Sequence, residues 1–351
     1  MEQSFILNGI ANGTVAQKLL AVNGDPRALR PFVGRDGRSR IDVNIAGKER
    51  TIVTNATATL RKEDWIHLDE MIVKVARARL RAVSDIVGAG LTYNMPNGMA
   101  HTVLQTERMG DINDASISMD GLRQGPDDRP EFDIQNLPLP IIHKDFQFSL
   151  RQILASRNGG SPLDTSMAEL CGRKVAEQAE KLLLGTASSY AYGGGTIYGM
   201  TNFPSRVTRT ITAPTDSAWT GATLLGEVLL MRQDLEDAYH YGPYMLYFAS
   251  AWNAYLDNDY TTNYPITVRE RIRKIEMISD VRTLDYLTGY DVVLVQMSSD
   301  VIREVIGMNV TTLQWDTVGG LMQNFKVMAI LVPQLRADMN GNTGINHGST
   351  S

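Results

Sequence analysis

Apolar residues recur at helical spacing in some stretches of this chain and alternate with polar ones in others, and the contrast divides it into elements. Over residues 61–87, Leu68, Ile72, Val75, Leu80, Val83 and Val87 return at near-helical intervals, which predicts one helix stopped at Gly88. Lys74, Arg77 and Arg81 share a face of it, and Glu70 precedes Lys74 by four residues in the order that favours an ion pair, so this face reads as solvated. A second helix is predicted over residues 162–184. Ser161 at the N-cap, Pro162 at the first helical position and Asp164 two residues later give three start signals. Leu163, Met167, Leu170, Cys171, Val175, Ala179 and Leu182 make its apolar stripe, while Glu169 with Arg173 and Glu177 with Lys181 are spaced as ion pairs on the wet side. At 1.5 Å per residue this helix is a rod of about 35 Å. A third helix is expected over residues 224–239.

Strand patterns fill most of the remainder. Ile41, Val43 and Ile45 alternate with polar residues, and β character resumes at Thr51 after Ala46-Gly47-Lys48-Glu49, which predicts a short hairpin. Residues 101–109 and 112–119 are β-like, an acidic, turn-rich stretch follows over 120–131, and 132–148 is extended again. Pro138 and Pro140 cannot donate to a ladder, so this last run belongs at a sheet edge or leaves the sheet. Two extended runs around a long polar tip predict a protruding β-arm, and a loop so long is either disordered or functional, function here meaning that it reaches a neighbouring subunit. Beyond a glycine-rich link at 192–199, read as a hinge or loop, strands at 244–248, 276–281, 292–297, 301–306, 310–313 and 325–332 mix with short helices at 251–256 and 268–275. The order is α+β. From Asp338 onward the residues are small and polar, which predicts a loose tail.

Composition narrows the reading. A chain of 351 residues with 43% apolar side chains has room for about two domains. A single cysteine excludes an internal disulfide framework and a cysteine-based zinc site. The opening residues lack a signal-peptide pattern and no stretch reaches the length of a membrane span, so secretion and membrane insertion are not expected. The net charge of -5 hides an asymmetry: residues 1–62 hold ten basic and five acidic side chains, a net of +5, which leaves -10 for the rest. Breakers crowd the first forty residues, so this segment reads as a basic arm. Arg27, Arg30, Arg35, Arg38 and Arg40 within it are either solvated and paired with acids or placed to contact a polyanion through counterion release.

Catalytic signatures are missing. No GxxxxGK[ST] string occurs, the glycine cluster at 193–199 misses GxGxxG by one position, and no GxSxG elbow is present. His67, His101, His143, His240 and His347 never take HExxH spacing. Asp111, Asn113 and Asp114 open like a calcium loop, but Ser116 stands where glycine is required and Leu122 where glutamate is. Asp127 with Asp128 and Asp257 with Asp259 read as turn formers, and Cys171 as a core residue. No enzymatic activity, cofactor or metal is expected.

The order of parts then matters: basic arm, protruding β-arm, long helix, compact α+β region and returning strands. Residues 137–185, 61–80, 197–206 (IYGMTNFPSR), 241–260 and 292–335 resemble, in order and spacing, encapsulins and tailed-bacteriophage major capsid proteins of the Hong Kong 97-type fold. The resemblance implies an α+β capsid subunit with a basic N-terminal arm at 1–60, a peripheral-domain helix at 61–100 and an extended loop at 101–136. A peripheral domain with the spine helix follows at 137–189, then an axial domain at 190–305, peripheral return strands at 306–335 and a flexible tail at 336–351. It implies a homo-oligomer of hexamers and pentamers closing an icosahedral virion shell, each subunit burying more than about 2,000 Å². Packaged double-stranded DNA, bound non-specifically, is the implied content. Scaffolding, portal and decoration proteins are partners such a shell can have, and assembly would take place in the host bacterial cytoplasm. On this reading Asp127, Asp128 and Glu131 at the loop tip meet a neighbour, and the arm's arginines face the lumen or DNA. An encapsulin-type nanocompartment holding an enzyme cargo is the alternative. The basic segment ahead of residue 61 favours the viral reading.

Overall fold

The computed structural model describes residues 30–45, 48–53, 60–109, 119, 132–159, 166–261, 264–338 and 340–350. Two hydrophobic cores, each with its own sheet, share one long helix. The first sheet joins β4 (Thr92–Asn94), β16 (Ile302–Thr317), β17 (Met322–Leu335) and β7 (Ile142–Ser149) in that order. Its two long strands pair antiparallel from Ile302 opposite Leu335 to Thr317 opposite Met322. The separate runs expected at 301–306 and 310–313 are thus one strand, and the run expected at 132–148 is two strands parted at Pro138 and Pro140, β7 lying at the edge of this sheet. On this sheet Phe325 stacks on Phe146 at 5.1 Å and meets Phe148 and Trp65 edge-on at 5.6 and 5.9 Å. The offset and T-shaped arrangements suit the ring quadrupoles.

The second sheet runs β10 (Val207–Ile211), β18 (Ile345–Thr350), β15 (Val292–Gln296), β11 (Tyr244–Ala249) and β14 (Ile278–Leu284). Every residue of β11 is buried. Such an unbroken apolar strand is what a centre covered on both faces demands. The last strand overturns the expectation of a flexible tail at 336–351, because residues 345–350 lie inside the sheet, parallel to β10 and antiparallel to β15. Ile345 is buried, and the buried Asn346 donates to the Met231 carbonyl at 3.1 Å and to Asp234 at 3.0 Å. Asp234 in turn holds Arg209 at 2.6 Å. The Asn346 amide nitrogen donates to these groups in place of water, and a strand held in this way is hidden from a hydrophobicity pattern.

Helix α4 (Ser166–Leu184) serves both cores: Val175, Ala179 and Leu182 belong to the aromatic one, Leu183 and Leu184 to the other. Gly172 lets α1 (Lys62–Arg79) approach, since a Cβ there would lie 2.9 Å from Ile72 Cγ2. Met167 and Leu170 leave the expected stripe and are exposed, while Glu177 pairs with Lys174 at 2.7 Å and Arg173 at 3.4 Å rather than with Lys181. The start signals at residues 161–165 lie outside the described residues. The single helix expected over 61–87 is two, α1 and α2 (Arg81–Gly88), broken at Leu80. The break is stabilised from outside the local sequence: Glu180 of α4 accepts hydrogen bonds from the N–H groups of Ala82 at 2.8 Å and Val83 at 3.4 Å, in the first turn of α2. Helices α3 (Leu150–Gly159), α5 (Gly221–Asp237), α6 (Asn253–Leu256) and α7 (Val268–Arg273) complete the cores.

Candidate functional site

Strands β5 (Val103–Met109) and β6 (Phe132–Pro138) form a two-stranded antiparallel sheet of their own, from Val103 opposite Pro138 to Met109 opposite Phe132. This is the β-arm the alternation predicts, and its tip, with Asp127, Asp128 and Glu131, lies outside the described residues. Its base is moored. Leu137 and Leu139 are buried in the aromatic core, Gln334 of β17 donates to Thr106 Oγ1 at 3.1 Å, and Arg108 bonds the Asp338 carbonyl at 3.2 Å and pairs with Asp133 at 3.0 Å. The glycine-rich link expected to be a hinge is itself a hairpin, β8 (Tyr190–Tyr192) with β9 (Gly195–Ile197). Gly193 and Gly194 turn it at φ of 59° and 78°, and the Gly193 carbonyl accepts from Asn136 at 3.0 Å. A Cβ at Gly195 would meet the Asn136 carbonyl, so the glycine is what lets this hairpin support β6.

On its other face the arm is open. Phe132 is 62% and Ile134 63% exposed, on the same face as Gln105 and Glu107. Tyr190 and Tyr192 of the supporting hairpin are exposed as well. A two-stranded ribbon with apolar side chains in water is marginal by itself, and its free edges are templates for pairing.

The basic candidates part company. Arg30 is not a solvent-facing cation: it is 7% exposed, bonds the Thr312 carbonyl of β16 and Asp69 of α1, and lies 5.1 Å over the Trp65 ring. It anchors the arm to the aromatic core, a role that its place in a breaker-rich stretch does not disclose. β1 (Phe32–Val33), β2 (Ser39–Ile45) and β3 (Lys48–Val53) then form a three-stranded sheet, the expected hairpin with one added strand. Arg35 and Arg38 are exposed at its turn, Arg40 pairs with Asp36 at 2.9 Å, and Arg27 lies outside the described residues. Arg40 holds the Asp36 carboxyl below its ordinary value.

Catalytic geometry is not assembled from the remaining candidates. The buried Cys171 thiol lies 3.7 Å from the Asp145 carbonyl, and burial pushes its pKa up, the opposite of an activated nucleophile. Among the described residues no three His, Cys, Asp or Glu side chains are grouped to hold a metal ion, and no helix is long and apolar enough to cross a membrane.

Comparison with known proteins places these features. The chain belongs to DUF6260, a family of unknown function, whose profile matches residues 55–348. It is 28% identical over 145 residues to the type 1 encapsulin shell protein EncA of Myxococcus xanthus, a match spanning 40% of this chain and 47% of that relative. Among solved structures it is similar to the virus-like particle from Pyrococcus furiosus, with a TM-score of 0.57, 14% identity and coverage of 82% of this chain and 100% of the other. The capsid of Myoviridae phage XM1 gives a TM-score of 0.58 at 10% identity over 76% of this chain and 91% of the other. The fold is the Hong Kong 97-type capsid fold, as the sequence resemblance implies. Proteins with this similarity are shell and capsid subunits.

Proposed function

We propose that this DUF6260 member is the repeating subunit of a closed icosahedral shell, the major capsid protein of a tailed bacteriophage enclosing double-stranded DNA, with no enzymatic role. The observation that carries this reading is the moored but uncovered β5–β6 arm, whose Phe132 and Ile134 await a neighbouring copy. In this reading the aromatic core is the peripheral domain, with α4 as its spine, and the five-stranded sheet is the axial domain. Subunits meet as hexamers and pentamers, and the arm tip with Asp127, Asp128 and Glu131 lies against the next subunit. Of the basic candidates, the exposed Arg35 and Arg38 remain suited to non-specific phosphate contact, with Arg27 beside them in sequence, whereas Arg30 and Arg40 are engaged within the fold. Scaffolding, portal and decoration proteins stay as expected partners of such a shell, and the host cytoplasm as its place of assembly.

A second reading, an encapsulin-type compartment around a protein cargo, is favoured by the likeness to EncA. Electron microscopy of the purified particle, with nuclease treatment before its contents are extracted, decides between them. Protected double-stranded DNA in a large shell supports the viral reading, a small protein-filled shell supports the compartment, and no shell at all refutes both.

A further inference from the structure

The two cores meet where α4, α2 and β16 converge, and the side chains at that meeting point are acids. Glu304 of β16 is 0% exposed, with Pro333 of β17 and Thr92 of β4 as its strand partners. Neither of its carboxyl oxygens has a partner among the described residues. Ile302, two residues earlier and on the same face of the strand, packs into the core of the five-stranded sheet, while the next residue, Val305, packs into the aromatic core. The charged group acting on Glu304 is another buried acid, Glu180, which is 1% exposed and caps α2. Within the same helix Asp85 accepts from Tyr247 Oη at 3.2 Å and pairs with Arg282 of β14, which also meets Asp280 at 3.2 Å. Arg81 acts on Glu180 from the first residue of α2 and lies 3.8 Å from Asp285. Arg282 is therefore engaged with Asp85 and Asp280, Arg81 is shared between Asp285 and Glu180, and Glu304 has no ion-pair partner among the described residues.

We propose that Glu304 is a proton-operated latch between the two cores: neutral, it lets β16 close on α4 and α2, and ionised, it drives the junction open. Two like charges in a dry junction, neither of them in an ion pair among the described residues, are not both accommodated. Burial, with Glu180 adding to it, pushes Glu304 up to about 8. Glu180 is pushed up to about 7, again by burial first, although the two N–H bonds from α2 pull it back. Burial raises Asp85 too, against the pull of Arg282. Both glutamates start from an unfolded value of 4.5. The closed form therefore holds protons that the open form releases as pH rises above that value. Closure is complete at low pH and is lost progressively until pH passes the closed-state values near 7 and 8. The latch is a property of the subunit and does not depend on what a shell would enclose.

Hydrogen exchange of the full-length protein in its native assembly tests this, read as protection factors, which remove the intrinsic pH dependence of exchange. The amides of Ala82 and Val83, bonded to Glu180, are the reporters. Between about pH 6 and about pH 9 their protection should fall about a hundredfold from Glu304 alone. Glu304→Gln should shrink that fall at least about tenfold, while Glu276→Gln, at an exposed position, should leave it unchanged. An equal fall in Glu304→Gln overturns the latch. Infrared spectroscopy of the unmodified protein is independent of any variant's folding: a protonated carboxylic acid band should be present near neutrality and vanish in alkali. Its absence near neutrality overturns the proposal as well.

Discussion

Strand β11 is apolar throughout and β6 alternates apolar with polar residues, and their apolar side chains have opposite fates. β11 lies between β14 and β15, and all six of its residues are buried, with Tyr244, Leu246, Tyr247 and Phe248 at 0% exposure. β6 pairs with β5 alone in its ladder and leaves Phe132 and Ile134 in water. One is finished by the fold of its own chain. The other is held in place at Leu137 and Asn136, and among the described residues nothing covers its outward face. Among the described residues, then, the cores are closed without the arm's outward face, and the proposed association would fall to that face.

If that division is real, perturbing the two regions should have unlike consequences. The largest effect is expected from Phe248→Ala, which empties a fully buried aromatic site beside Trp252 and should cost about 3–5 kcal/mol in denaturant unfolding of the dissociated subunit. A smaller loss, about 1–3 kcal/mol by the same measurement, is expected for Arg30→Ala. It removes the donor to Thr312 and the partner of Asp69, and it should release β1–β3 from the core, seen as faster proteolysis there. The smallest stability change is expected for Phe132→Ser with Ile134→Ser, within about 0.5 kcal/mol, because nothing in the subunit is uncovered by it. Light scattering of that double variant should nevertheless show assembly weakened at least about tenfold. A stability loss as large as that of Phe248→Ala would mean that the arm is part of the subunit's own core.

What the sequence discloses follows the same division. Apolar periodicity marks α4 and β11 because water is excluded from them by their own side chains. It also marks β5 and β6 as strands, since alternation is a local property, and the polar tip between them as an arm. It misses features whose cause lies far away in the chain. Leu80 breaks a continuous helical pattern because Glu180, a hundred residues on, caps the second half. Residues 345–350 read as a tail because Asn346 and Gly348 are buried by fitting Met231 and Asp234 and not by being apolar. Arg30 reads as a surface cation because its partners, Asp69 and Thr312, are brought to it by tertiary structure. Glu304 is the extreme case, since a glutamate in a strand pattern looks solvent-facing until β4, β17 and α2 close around it.

The central claim is that the uncovered face of the β5–β6 arm is completed by a second copy of the chain. A cryo-electron microscopy map of the purified particle, at a resolution that shows side chains, tests it most directly. The account predicts a closed shell in which Phe132 and Ile134 are buried against a neighbouring subunit while both cores keep the packing described above. A shell in which those two side chains remain in solvent, or a chain that stays monomeric at every concentration, would contradict it.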